Sequence, residues 1–133
     1  WFGDLADRHG RRTVIPIGAA VAVVGALLTL PDVLSLVVAG MGLLVIGFFA
    51  VHGVASGWVP LRAHLGGTSA GQAASLYLFT YYLGSAVFGT ASGAAWTRAG
   101  WAGSVALSVA LLVLVMALAA LLRRTPSLAP GLR

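Results

Sequence analysis

Four long apolar stretches separated by short polar breaks make up most of this chain. Thr13–Leu30, Val33–Leu61, Gly66–Thr97 and Ala99–Leu122 contain no Asp, Glu, Lys or Arg. A helix needs about 20 mainly apolar residues to cross a bilayer, and each stretch meets or approaches that length. The breaks set the ends of the elements. Pro16 falls in the first turn of the first helix, where its missing N–H costs little. Pro31-Asp32 is a turn too short for anything but an antiparallel return. Pro60 ends the second helix, and LRAHLGGTS forms a loop. Ser69, with Gln72 three residues on, is a capping box that starts the third helix. WTRAGWAG, residues 96–103, is a short loop before the fourth. The pattern predicts an all-α membrane protein of four antiparallel transmembrane helices, at residues 13–30, 33–59, 70–95 and 104–122. Residues 123–133 carry two prolines and are expected to form a polar tail.

The four helices differ in polarity. The first and fourth are aliphatic nearly all round, which suits contact with lipid. The second carries His52 and Ser56. The third carries Ser75, Tyr77, Thr80, Tyr81, Tyr82, Ser85, Thr90 and Ser92. Polar side chains at membrane depth turn toward protein or a water-filled cavity, so these two helices are expected to be central. Small residues four apart, at Gly53 and Gly57 and again at Ser85, Gly89 and Gly93, permit close helix packing.

Composition strengthens the membrane reading. The chain is 59% hydrophobic and 8% charged, with a mean hydropathy of +0.98. A soluble domain of this size cannot hide so much apolar surface. There is no cysteine, which excludes disulfides and thiolate metal sites. The histidines are too scattered for a metal site, no catalytic constellation is present, and no glycine-rich phosphate loop follows a strand. Neither an enzyme nor a bound cofactor is expected.

The net charge is +5, and every cation is an arginine. A basic chain can signal nucleic-acid binding, but here the arginines sort by membrane side instead. Four alternating spans put Arg8, Arg11, Arg12, Arg62, Arg123, Arg124 and Arg133 on one face and Arg98, with Asp32, on the other. Positive charge marks the cytoplasmic face, so both termini of this segment are expected there. Trp58, Trp96 and Trp101 lie near the expected span ends, as interfacial aromatics do.

The densest charge lies before the first helix, in Gly3-Asp4-Leu5-Ala6-Asp7-Arg8-His9-Gly10-Arg11-Arg12. This stretch resembles the loop signature of the major facilitator superfamily, G-x-L-a-D-r-x-G-r-r/k, and matches it at every signature position. GFFAVHGVASGWV and SLYLFTYYLGSAVFG are similar to the tenth and eleventh helices of bacterial efflux-type members. The resemblance covers essentially the whole chain and implies the C-terminal third of such a carrier, from loop 8–9 to helix 12. The four helices would then be part of a six-helix half-bundle whose partner helices precede Trp1.

The resemblance implies secondary active transport of a small molecule, with proton-coupled efflux by alternating access as its mode, in a bacterial inner membrane. Gly3, Leu5, Asp7, Arg8, Gly10, Arg11 and Arg12 would form a conformational latch. In that role Asp7 meets the positive N-terminal end of a helix from the neighbouring bundle. The plainer reading is that Asp7 caps a local helix and the arginines anchor topology.

His52 is the one titratable group at membrane depth apart from the tyrosines, which makes it a candidate contact for substrate or proton. The plainer reading is a neutral histidine hydrogen-bonded to a neighbouring helix, for example to a tyrosine. Tyr77, Tyr81, Ser85, Phe88 and Ser92 recur at helical spacing on one face. They and Ser56 either line an aromatic, weakly polar pathway or simply pack with their hydroxyls satisfied. The expected partners are the lipid bilayer, a small-molecule substrate and the preceding helices of the same carrier, with no nucleic acid. The alternative to a carrier is a self-contained four-span scaffold or subunit without transport activity.

Overall fold

The computed structural model describes residues 11–122 of the chain. Every element among them is helical: α1 (Arg11–Leu28), α2 (Leu34–Leu65) and α3 (Ala70–Leu122). α2 and α3 are long and apolar enough to cross a membrane, and most of their surface is not covered by the chain itself.

α3 has 53 residues, about 80 Å if it were straight, against about 30 Å of bilayer hydrocarbon. It is not straight. Ala99 (φ −138°, ψ 17°) and Gly100 (φ 61°, ψ −151°) leave helical geometry. Beyond them the Ser104 hydroxyl donates to the Ser92 carbonyl at 3.2 Å. Twelve residues along an unbroken helix would separate those groups by about 18 Å, so the chain doubles back at this point. Gly100 is needed there because an L side chain is strained at that positive φ. Gly103 is needed for space, since a methyl at Gly103 would come within 2.5 Å of the Ala95 carbonyl oxygen. The two arms, residues 70–98 and 101–122, leave only two residues between them. The sequence-based ends at 95 and 104 were drawn too short, because Trp, Thr and Arg read as loop residues yet continue the helix.

Pro60 does not end α2. The helix runs on to Leu65, and the loop shrinks to residues 66–69. Proline removes only one intrahelical hydrogen bond, the one that would reach the Ser56 carbonyl, and the helix continues past it to a regular C-terminal end. The Gly66 N–H donates to the Arg62 carbonyl at 2.9 Å, and the Thr68 N–H closes onto Ala63 at 2.8 Å. Pro16 is likewise further inside its helix than expected, as the sixth residue of α1. The Ser69 cap is present, with the Gln72 N–H donating to the Ser69 hydroxyl at 3.3 Å.

α1 and α2 approach each other in reverse order, so they run antiparallel. Gly25 meets Gly40, Gly18 meets Gly47 and Ala50, and Val14 packs on Val54. A methyl at Gly25 would come 2.5 Å from the Leu44 nitrogen and 2.6 Å from the Gly40 oxygen. Backbone touches backbone along this seam, which only glycine and alanine permit. α1 is therefore not uniformly outward-facing. It buries Ala19, Ala22 and Ala26, with Thr29 buried just past its end, and turns Ile17, Val24 and Leu27 outward. Hydropathy alone could not separate the two faces, because alanine, valine and leucine all count as apolar. Trp101 ties the second arm of α3 to the end of α1. Its indole N–H reaches the Thr29 carbonyl at 3.0 Å and the Thr29 hydroxyl at 3.1 Å.

Candidate functional site

The candidate residues fall into three groups. Gly3, Leu5, Asp7, Arg8 and Gly10 of the charged loop lie outside the described residues. Arg11 and Arg12 are the first two residues of α1. The second group is the glycines Gly53, Gly57, Gly89 and Gly93, and among the described residues no other element comes within 4 Å of a methyl built at any of them. The close helix contacts of this chain fall instead at Gly18, Gly25, Gly40, Gly47 and Gly103.

The third group converges. His52, on α2, meets Tyr77 and Tyr81, one turn apart on α3. The Tyr77 hydroxyl oxygen lies 2.9 Å from His52 Nδ1 and 3.5 Å from the His52 carbonyl oxygen. The Tyr81 ring sits 4.8 Å from the imidazole, tilted by 45°. Phe48, one turn before His52, stacks nearly parallel to it at 5.5 Å. Phe48 escaped the sequence reading, although its i, i+4 spacing to His52 is the signal that would have found it. Because α2 continues to Leu65, His52 stands about 20 Å from that end of the helix.

The imidazole is half-buried. His52 Nε2 has no hydrogen-bond partner among the described residues, and no buried side-chain nitrogen or oxygen there is left without one. Nε2 is therefore left open by the described residues. Ser56 lies one turn further along α2, and its hydroxyl donates back to the Gly53 carbonyl at 3.1 Å. Ser85 is exposed, one turn beyond Tyr81. The threonine hydroxyls of α3 behave like Ser56: Thr80, Thr90 and Thr97 donate to carbonyls of their own helix. The structure thus gathers His52, Tyr77 and Tyr81 into one cluster and leaves Ser56 and Ser85 along its flanks.

The chain is 37% identical over 126 residues to the uncharacterized MFS-type transporter YybF of Bacillus subtilis, matching 94% of this chain and 30% of that protein. It is 46% identical over 78 residues to the inner membrane transport protein YnfM of Escherichia coli, matching 59% of this chain and 18% of that protein. An uncharacterized transporter of Buchnera aphidicola subsp. Baizongia pistaciae is 35% identical over 101 residues, matching 76% of this chain and 24% of its own length. This chain belongs to the major facilitator superfamily. It spans less than a third of the length of these curated relatives. No family model matches the chain, and no solved structure matches it.

Within this superfamily chain, Arg62 and Trp58 mark one end of α2. The guanidinium lies 5.4 Å from the centre of the Trp58 ring, a cation–π pairing of the kind found at membrane interfaces. Thr29 and Trp101, joined by their hydrogen bonds, mark the opposite end of the bundle.

Proposed function

We propose that this chain is part of a secondary active transporter that carries a small molecule across a bacterial inner membrane by alternating access, with proton-coupled efflux as its mode. Superfamily membership supports the class of activity. The observation that carries the pathway is the His52–Tyr77–Tyr81 cluster, which joins α2 to α3 at mid-helix. Polar groups at that depth are costly unless they serve a cavity or a neighbour, and here Nε2 of the histidine is turned outward, away from its tyrosine.

On this reading four membrane crossings, residues 13–28, 34–65, 70–98 and 101–122, belong to one half of the carrier, with both ends of the segment in the cytoplasm. His52, Ser56, Tyr77, Tyr81 and Ser85 line the route. Gly53, Gly57, Gly89 and Gly93, which no described residue covers, receive helices from the rest of the carrier. The charged loop from Gly3 to Arg12 latches one of the two access states.

This chain contributes no cysteine, so single substitutions in a carrier whose remaining cysteines have been replaced give a direct test. Ser56→Cys and Ser85→Cys are expected to react with a membrane-impermeant thiol reagent, and Leu118→Cys on the apolar arm is not. Equal reaction at all three positions would overturn the pathway. Coupling is read separately, from a pH dye trapped in proteoliposomes. Substrate movement without proton movement would overturn proton coupling.

A further inference from the structure

The geometry points to His52 as a fixed hydrogen-bond donor whose Nε2–H recognises an acceptor group, a carbonyl or a ring heteroatom, on a flat apolar ligand. This deepens the pathway reading and rests on it. The Tyr77 hydroxyl has one proton to give. If it donates to His52 Nδ1, at 2.9 Å, a neutral imidazole must carry its own proton on Nε2. In the other arrangement Nδ1–H donates to the tyrosine oxygen, and the tyrosine proton is left with the His52 carbonyl at 3.5 Å. That distance is at the outer limit for an O–H donor, where the interaction is weak. Tyr77 is thus a positioning residue that selects the tautomer, and Nε2–H is the atom presented outward.

What surrounds the donor defines the ligand. Phe48 stacks on the imidazole, and the Tyr81 ring lies against it, so the neighbouring surface is flat and aromatic. Aromatic groups favour offset or tilted contact with another ring. The groups facing His52 from α2 and α3 are Phe48, Tyr77 and Tyr81, and none is a carboxylate. The three acids of the chain, Asp4, Asp7 and Asp32, all lie outside the apolar stretches. An N–H donor with no nearby anion suits an acceptor-bearing neutral molecule and disfavours a cation.

The test uses the full chain in phosphatidylcholine nanodiscs with 15N-labelled histidine. The probes are 9-fluorenone and fluorene, flat tricyclic molecules that differ by a carbonyl in place of a methylene. In the unsubstituted chain His52 is expected to give the 15N signature of the Nε2-protonated tautomer, and Tyr77→Phe is expected to give a mixture. Fluorenone is expected to shift the Nε2 signal, and fluorene is not. The chain should prefer fluorenone by about fivefold, the worth of one net hydrogen bond. His52→Leu is expected to abolish that preference, while His52→Gln, which keeps an N–H donor, retains part of it.

An Nδ1-protonated His52, an unchanged tautomer in Tyr77→Phe, or equal response to the two probes would overturn the assignment. These readouts need no transport. Failure of the cysteine-labelling test with the tautomer and probe results intact would strike the pathway and leave the donor site standing.

Discussion

Gly47 is the position where the fold is least forgiving. A methyl built there would lie 2.6 Å from the Ala22 nitrogen and 2.8 Å from the Ala22 Cβ, and would also press on the Gly18 carbonyl oxygen. Ordinary contact begins near 3.4 Å, so relieving the tightest of these contacts, that with the Gly18 oxygen, requires Gly47→Ala to move α1 and α2 apart locally by about 1 Å. Overpacking of this kind costs about 1–3 kcal/mol. Gly42→Ala is the internal control. It sits on the same helix with nothing within 4 Å, so it shares the change in helix propensity and lacks the clash. The difference between the two variants isolates the clash, and Gly47→Ala is expected to be less stable by about 1–3 kcal/mol. The assay uses the absence of native cysteine. Val14→Cys and Val54→Cys are introduced together, because these residues pack on each other across the seam. Their disulfide cross-linking is then followed as SDS is titrated into mixed micelles. Gly47→Ala should lose the cross-link at lower SDS than Gly42→Ala. Equal midpoints would refute the backbone-to-backbone seam.

Three further outcomes follow from the helix ends and the reversal. Gly100→Ala places a side chain at φ 61° and ψ −151°, a region nearly reserved for glycine, and is expected to destabilise by about 1–3 kcal/mol in the same titration; no change would mean the reversal is not held as described. Trp101→Phe keeps the aromatic bulk but removes the donor to Thr29, and should cost about 1 kcal/mol. Its loss should vanish in a background that already lacks the Thr29 hydroxyl only if that hydroxyl, rather than the carbonyl, is the partner that counts. Ser69→Ala removes the cap on the Gln72 N–H and is expected to cost about 0.5–2 kcal/mol, visible as faster amide exchange over residues 70–72 than in the unsubstituted chain.

The sequence by itself determined the solvent, the class of fold and several boundaries. Long charge-free stretches can satisfy their backbone in lipid only as helices or as a closed barrel, and their length selects helices here. Ser69 announced the start of α3, because a cap is a local event between a side chain and a backbone N–H three residues away. The charged loop carried the family resemblance because that signature is contiguous. His52 stood out because a titratable group at depth is rare, and its tyrosine partner was one of the two readings the residues left open.

Tertiary structure decided everything that depends on which faces meet. Pro60 reads as a stop, yet α2 passes through it, because the cost of one lost hydrogen bond is set by what surrounds the helix. The break between the arms of α3 falls at Ala99–Gly100 rather than across residues 96–103, a choice made by Gly100 and by the contacts of Gly103 and Ser104. Glycines four apart invited packing at Gly53, Gly57, Gly89 and Gly93, but within this chain the packing falls at Gly18, Gly25, Gly40 and Gly47. Spacing shows only that two small residues share a face. Which face another backbone approaches is a property of the pair of helices, and it enters only when both are placed in space.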